Sequence, residues 1–182
     1  MKVKKIMALA ADLVGRRDLS DYLEGKGGAD EAGLRRDAEQ MLRCFNMTEN
    51  EAALDYIPLR AERTLFSEGL VPFAALDPAP AEILSVCSAD GVKLPFVLTA
   101  EGIRVRRGET VIRYRFRPAV KAPSDDADFS AGERFLALGT ACEFALMEGM
   151  LDRAAELDVR YKDALAAAGR CKNVRVKGRN WV

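Results

Sequence analysis

Histidine is missing from this 182-residue chain, and cysteine occurs only four times, at 44, 87, 142 and 171. Without an imidazole there is no Ser-His or Cys-His nucleophile pair, which removes the commonest acyl-transfer enzymes. The cysteines form no Cys-x-x-Cys pair, so zinc ligation is not expected, and no metal or cofactor site is read from the sequence. No uninterrupted apolar run reaches the roughly eighteen residues that a membrane-spanning helix needs. The opening MKVKKIMALAADLVGRRD imitates a secretion signal, but its apolar run is short and periodic, with Arg16, Arg17 and Asp18 in place of a cleavage site. It reads as a first helix. Cys44 and Cys142 fall on apolar helix faces, where a buried reduced thiol is the default, and this fits a cytosolic chain.

What remains is enough for a genuine core: 49% of residues are apolar and 31% charged. Bases and acids balance at 28 each, but unevenly. The closing RCKNVRVKGRNWV holds Arg170, Lys172, Arg175, Lys177 and Arg179 with no acid, leaving five more acids than bases in the body. Residues 170–182 are therefore read as a basic arm that seeks another surface or, equally, as a disordered, solvated terminus.

Helical periodicity covers 3–14, where Val3, Ile6, Met7, Ala10, Leu13 and Val14 make one stripe that Gly15 ends. A short second helix stops at Gly25. After the GKGGAD break, Asp30 caps a continuous helix to Ile57, and Pro58 ends the helical region. Periodicity then shifts towards two. Strands are expected over 63–66, 70–73, 82–87, 93–98, 103–106 and 111–117, with a two-residue hairpin at Asp90-Gly91. These form an antiparallel β-meander spanning 60–118. Ser130 and Glu133 form a capping box for a helix that is apolar on nearly every side. A last amphipathic helix follows from Leu151, with Gly169 as its C-cap. The fold class is α+β: one domain over 1–169, its helices at 1–57 and its helical hairpin at 130–169 forming a bundle around the inserted meander.

The densest charge lies in IRVRRGETVIRYRFRP, residues 103–118. A two-residue loop at Gly108-Glu109 pairs 105 with 112 and 104 with 113. Alternation then gathers Arg104, Arg106, Arg113, Arg115 and Arg117 on one face of one hairpin, opposite Ile112, Tyr114 and Phe116. Like charges directly opposite cost roughly 0.2–1 kcal/mol per pair, so something must offset them. Intrachain acids, an acidic protein partner and nucleic acid all qualify. The aromatics face the core, which leaves the basic face without the stacking platform of an RNA-binding sheet.

Other constellations carry less. Asp125, Asp126 and Asp128 lack the alternation and terminal glutamate of a calcium loop. Glu143 and Glu148 lie on different sides of a helix with no partner base, and phosphate-loop fingerprints are absent. No enzyme is expected.

The order of motifs resembles a known family. AEQMLRCFNMTENEAALDYIPLRAE, at 38–62, is similar to the long helix of bacteriophage head–tail adaptor (connector) proteins, the group that includes the tail tubular protein A of podophages. There too an Asn, here Asn46, interrupts an apolar helix with a Tyr-x-Pro-Leu exit, here Tyr56, Pro58 and Leu59. The Asp-Gly pair at 90–91, the Ile-x-Tyr-x-x-x-Pro strand at 112–118 and the closing FLALGTACEFALMEGMLDRAAELDVRYKDALAAA extend the likeness over about 30–170. The resemblance implies a non-enzymatic virion part, encoded by a phage or prophage. It would form a ring between portal and tail proteins, in the bacterial cytoplasm during assembly and then in the virion, with DNA contact left open. It implies a terminal arm that docks on the portal, which the basic tail fits with Trp181 as its apolar anchor; it assigns no other binding residues, and the short sheet region is a departure. The alternative is a small nucleic-acid-binding regulator that uses the arginine-rich hairpin.

Overall fold

The computed structural model describes residues 1–26, 31–130 and 132–170. The fold is α+β, with five α-helices and two three-stranded antiparallel sheets among the described residues. The chain divides into two compact units, Met1–Ile57 with Val120–Val182 and Pro58–Ala119, where the sequence reading expects one domain.

The helical unit follows its apolar stripes. Helix α1 (Val3–Val14) buries Val3, Ile6, Met7 and Ala10. It ends at Gly15, whose φ of 84° costs a residue without Cβ little. Helix α2 (Arg17–Glu24) buries Leu19 and Leu23. The expected capping role of Asp30 lies outside the described residues.

Helix α3 (Glu31–Glu51) continues without a break into a π-helical turn, Ala52–Tyr56, closed by the Ile57 N–H on the Ala52 carbonyl at 2.7 Å. The widened turn sits immediately before Pro58, which disfavours helical backbone at Ile57. Helix α4 (Glu133–Met147) is buried on nearly every side, from Phe135 through Cys142 and at Phe144 and Ala145. It packs against α1, α3 and α5 (Leu151–Arg170). Burying a side chain such as Phe135 or Phe144 contributes roughly 1.5–3 kcal/mol, so this helix is the unit's main apolar store.

Two expected caps do not form. Helix α4 begins at Glu133 after Gly132 with no side-chain cap, so the Ser130–Glu133 box is absent. Gly169 lies inside α5 and does not end it.

A strap, residues 120–129, closes the helical unit. Its carbonyls at Pro123 and Asp125 accept the N–H groups of Lys4 and Val3 at 3.0 and 2.9 Å, satisfying the open start of α1, which has no side-chain cap. Asn46 fastens the strap to α3: its Nδ2 donates to the Lys121 carbonyl (3.2 Å) and its Oδ1 accepts the Lys121 N–H (2.7 Å).

The β unit is not the expected meander. Its strands are β1 (Arg60–Ser67), β2 (Leu70–Pro72), β3 (Pro80–Ser88), β4 (Phe96–Leu98), β5 (Gly102–Val105) and β6 (Gly108–Phe116). One sheet has the order β1-β6-β3 and the other β2-β5-β4. Residues 60–72 and 102–116 thus run antiparallel as one bent ribbon, from Arg60 opposite Arg115 to Pro72 opposite Gly102. The ribbon bends where the chain leaves one sheet for the other, at Glu68-Gly69 and at Arg106-Arg107. Val71, Leu76, Val86, Ile103, Val105, Ile112 and Tyr114 form one core drawn from both sheets.

The turn after β3 also differs from expectation. The Ser88 N–H donates to the Val92 carbonyl (2.8 Å) and the Gly91 N–H to the Ser88 carbonyl (2.9 Å). The loop is therefore three residues long, with Gly91 at φ 80°.

Candidate functional site

The predicted arginine hairpin does not exist as drawn. Alternation within each strand is as expected: Ile103 and Val105 are buried beside exposed Arg104, and Ile112 and Tyr114 beside outward Arg113 and Arg115. However, β5 and β6 do not pair with each other. Gly108 and Glu109 open β6, opposite Ser67 and Phe66, and make no hairpin loop. The buried side chains are odd-numbered in β5, at Ile103 and Val105, and even-numbered in β6. Arg106-Arg107 absorbs that change of phase. The five arginines are consequently split between two sheets.

On the first sheet the repulsion is answered within the chain. Arg113 lies opposite Glu62, and its Nε meets a Glu62 oxygen at 2.5 Å. Arg115 lies between Arg60 and Glu82 and pairs with Glu82 at 2.8 Å. Both pairs are substantially exposed and screened by solvent, so they settle charge more than they stabilise the sheet. Arg117 follows β6, exposed, and makes no ion pair among the described residues.

The second sheet presents something different. Leu70 of β2, Arg104 of β5 and Val97 of β4 stand opposite one another in the ladders, forming a row across its outward face. Arg106 and Arg107 extend this row into an open groove of about 690 Å³, lined also by Glu68, Pro95 and Phe96. Arg104, Arg106 and Arg107 have no ion pair among the described residues. Leu70 and Val97 are 37% and 63% exposed. An apolar floor rimmed by three guanidinium groups suits an acidic surface that is itself partly apolar. Arg107, Leu70, Phe96 and Val97 were not legible as parts of a site. They meet only through long-range pairing of β2, β4 and β5. Lys172, Arg175, Lys177, Arg179 and Trp181 lie outside the described residues, as does the side chain of Arg170.

Within the helical unit the aspartates of the strap are occupied. Asp126 accepts from Lys2 Nζ (2.8 Å), Asp128 from Lys121 Nζ (2.8 Å) and Asp125 from the Ala122 N–H (2.7 Å). Burial pushes the Cys44 thiol up to about 12 and the Cys142 thiol up to about 11, so both stay protonated and unreactive at neutral pH.

Glu49 is the unusual group. Its side chain is fully buried, its Oε1 accepts the Asp128 N–H at 2.8 Å, and its Oε2 has no hydrogen-bond partner among the described residues. Burial raises its pKa to about 6, helped by the charge of Asp128 and opposed by that Asp128 N–H and by Lys121. A carboxyl raised in the folded state contributes stability that is whole below its unfolded pKa and is lost as pH rises through the folded value. Between pH ~4.5 and neutrality this loss amounts to about 2 kcal/mol. Denaturant titrations should show it as a falling difference between the wild type and Glu49→Gln as pH rises. Parallel profiles for the two proteins would refute the assignment.

No helix among the described residues is long and apolar enough to cross a membrane. No protein-family model matches the chain, and no curated protein matches it either.

Proposed function

We propose that the protein is a non-enzymatic head–tail connector of a phage or prophage, which docks on the portal and forms part of the ring joining head to tail. The observation that carries this reading is the groove on the second sheet, where Arg104, Arg106 and Arg107 have no ion pair among the described residues over an exposed apolar floor. Such a surface recognises another macromolecule without doing chemistry on it. The layout supports the same reading: N- and C-terminal helices share one unit, and a β unit is inserted between Ile57 and Val120. Asn46, the polar residue in the long helix that carries the resemblance, anchors the strap by two hydrogen bonds. On this reading the protein works in the bacterial cytoplasm during assembly and then resides in the virion, with portal and tail proteins as its partners.

The aliphatic floor of Leu70, Pro95 and Val97 favours a protein surface over nucleic acid in the groove. A nucleic-acid-binding regulator would show DNA affinity that collapses as salt rises. The deciding experiment co-expresses the chain with the portal protein of the same genome. Co-elution, with added density capping the portal ring in negative-stain images, is expected. Bare portals beside unbound chain would reject the reading, and salt-sensitive binding to mixed DNA in its place would establish the rival.

A further inference from the structure

The charges of the two units are complementary. The helical segments 1–57 and 120–170 hold 15 bases against 21 acids, whereas 58–119 holds 9 bases against 7 acids. The acidic excess is concentrated. From Cys44 to Leu59 and again from Phe135 to Asp152 there is no lysine or arginine. These two stretches are neighbours, because α3 and α4 pack together with Cys44 Sγ 3.6 Å from Met147 Sδ and Gln40 Nε2 3.0 Å from Glu148 Oε1. Glu143 lies one turn before Met147 on α4 and Glu148 meets Gln40, so both glutamates border this seam despite their five-residue spacing, beside Met47 and Met147, which are 50% and 49% exposed. So much exposed apolar surface among unneutralised acids marks a contact face, and one that a cationic groove with an apolar floor would fit.

We propose that the arginine groove of one copy receives this acidic helical face of a second copy. The proposal deepens the connector reading and rests on it, since it names which surfaces of successive subunits meet. Arg104 and Arg106 approach Glu143 and Glu148 of the neighbour, while Leu70 and Val97 cover its exposed methionines. Each copy carries both halves, so the contact is heterologous: it propagates, closing as a ring when the rotation per step allows. The contact is weak in free solution and strengthens when a portal aligns the copies.

The test is sedimentation velocity at high protein concentration, in low and high salt, with circular dichroism confirming that each variant is folded. The wild type should self-associate at low salt and dissociate at high salt. Arg104→Glu with Arg106→Glu, or Glu143→Arg with Glu148→Arg, should each weaken association roughly tenfold or more. Mixing the two double variants should restore it, because each supplies the half that the other has lost. Should a reversed pair fail to fold, the neutral Arg104→Gln and Glu143→Gln replacements give the same reading more gently. A wild type that stays monomeric at low salt overturns the proposal, as does association indifferent to the reversals or not recovered on mixing. Portal docking is measured on the same samples. Copies that cap the portal but ignore the reversals sink this contact and leave the connector reading standing. Copies that associate with one another but never bind the portal do the opposite.

Discussion

Replacing Gly139 with valine should cost the helical unit about 3 kcal/mol and lower its melting temperature by on the order of 10 °C. Gly139 lies in the buried stretch of α4, at a place where α3 and α5 both come close. A Cβ there would stand 2.5 Å from Thr48 Cγ2 of α3 and 2.8 Å from Tyr161 Cε2 of α5. Two effects compete on substitution. A helix interior gains roughly 0.5–1 kcal/mol when glycine gives way to alanine, because the unfolded chain loses freedom. Overpacking a close-fitting core costs typically 1–3 kcal/mol, and valine adds two further methyl groups to the collision. For valine the collision wins decisively. For alanine the two nearly cancel, since Thr48 can turn its methyl aside while the Tyr161 ring cannot move as easily. The check is urea denaturation followed by far-ultraviolet circular dichroism. Adding Thr48→Ser to the valine variant should recover part of the loss by removing the nearer obstacle. An unchanged midpoint for Gly139→Val would mean that the three helices do not converge there.

That convergence was half legible in the sequence. The 3–14 stripe, the stop at Gly15, the unbroken helix up to Pro58 and the enclosed character of 135–145 all follow from local rules of spacing and backbone freedom, and the structure has them. Local rules fail where a second segment decides. Ser130 and Glu133 have the spacing of a capping box, yet α4 starts without a side-chain cap.

The arginine ribbon is the instructive case. In IRVRRGETVIRYRF the phase of alternation changes at Arg106-Arg107, and a change of phase beside a glycine reads equally well as a tight hairpin or as a corner between sheets. Choosing between them depends on whether 60–72 lies alongside, which spacing within 103–116 does not reveal. The pairing of Arg113 with Glu62 and Arg115 with Glu82 is legible only once the register is known, because the partners are 51 and 33 positions away. The strap left a fainter trace. Asn46 and Glu49 are polar residues within the span of the α3 stripe, and both prove to be hydrogen-bonded to 120–129.

The groove itself hinges on a single glycine, and Gly102→Ala should abolish it without altering any arginine. Gly102 begins β5 opposite Pro72, and a Cβ there would lie 2.2 Å from the Val71 carbonyl oxygen and 2.8 Å from Pro72 Cα. Both obstacles are backbone, so no rotamer change relieves them and β2 must move away from β5. Val71 and Ile103 would then leave the core they share, and the Leu70–Arg104–Val97 row would come apart. The turn before the strand resists adjustment as well, because Thr99 Oγ1 accepts the Gly102 N–H (3.2 Å) and donates to its carbonyl (2.9 Å). A cost of at least about 3 kcal/mol is expected, falling on the β unit. Trypsin should reveal it first, cutting after Arg104, Arg106 or Arg107 far faster than in the wild type, because proteases take the opened state. Self-association should be lost together with the groove, while helices α1 to α5 keep their circular-dichroism signal. A Gly102→Ala protein that resists trypsin like the wild type would show that β2 and β5 do not pair so closely. The arginines would then have no shared floor on which to act as one site.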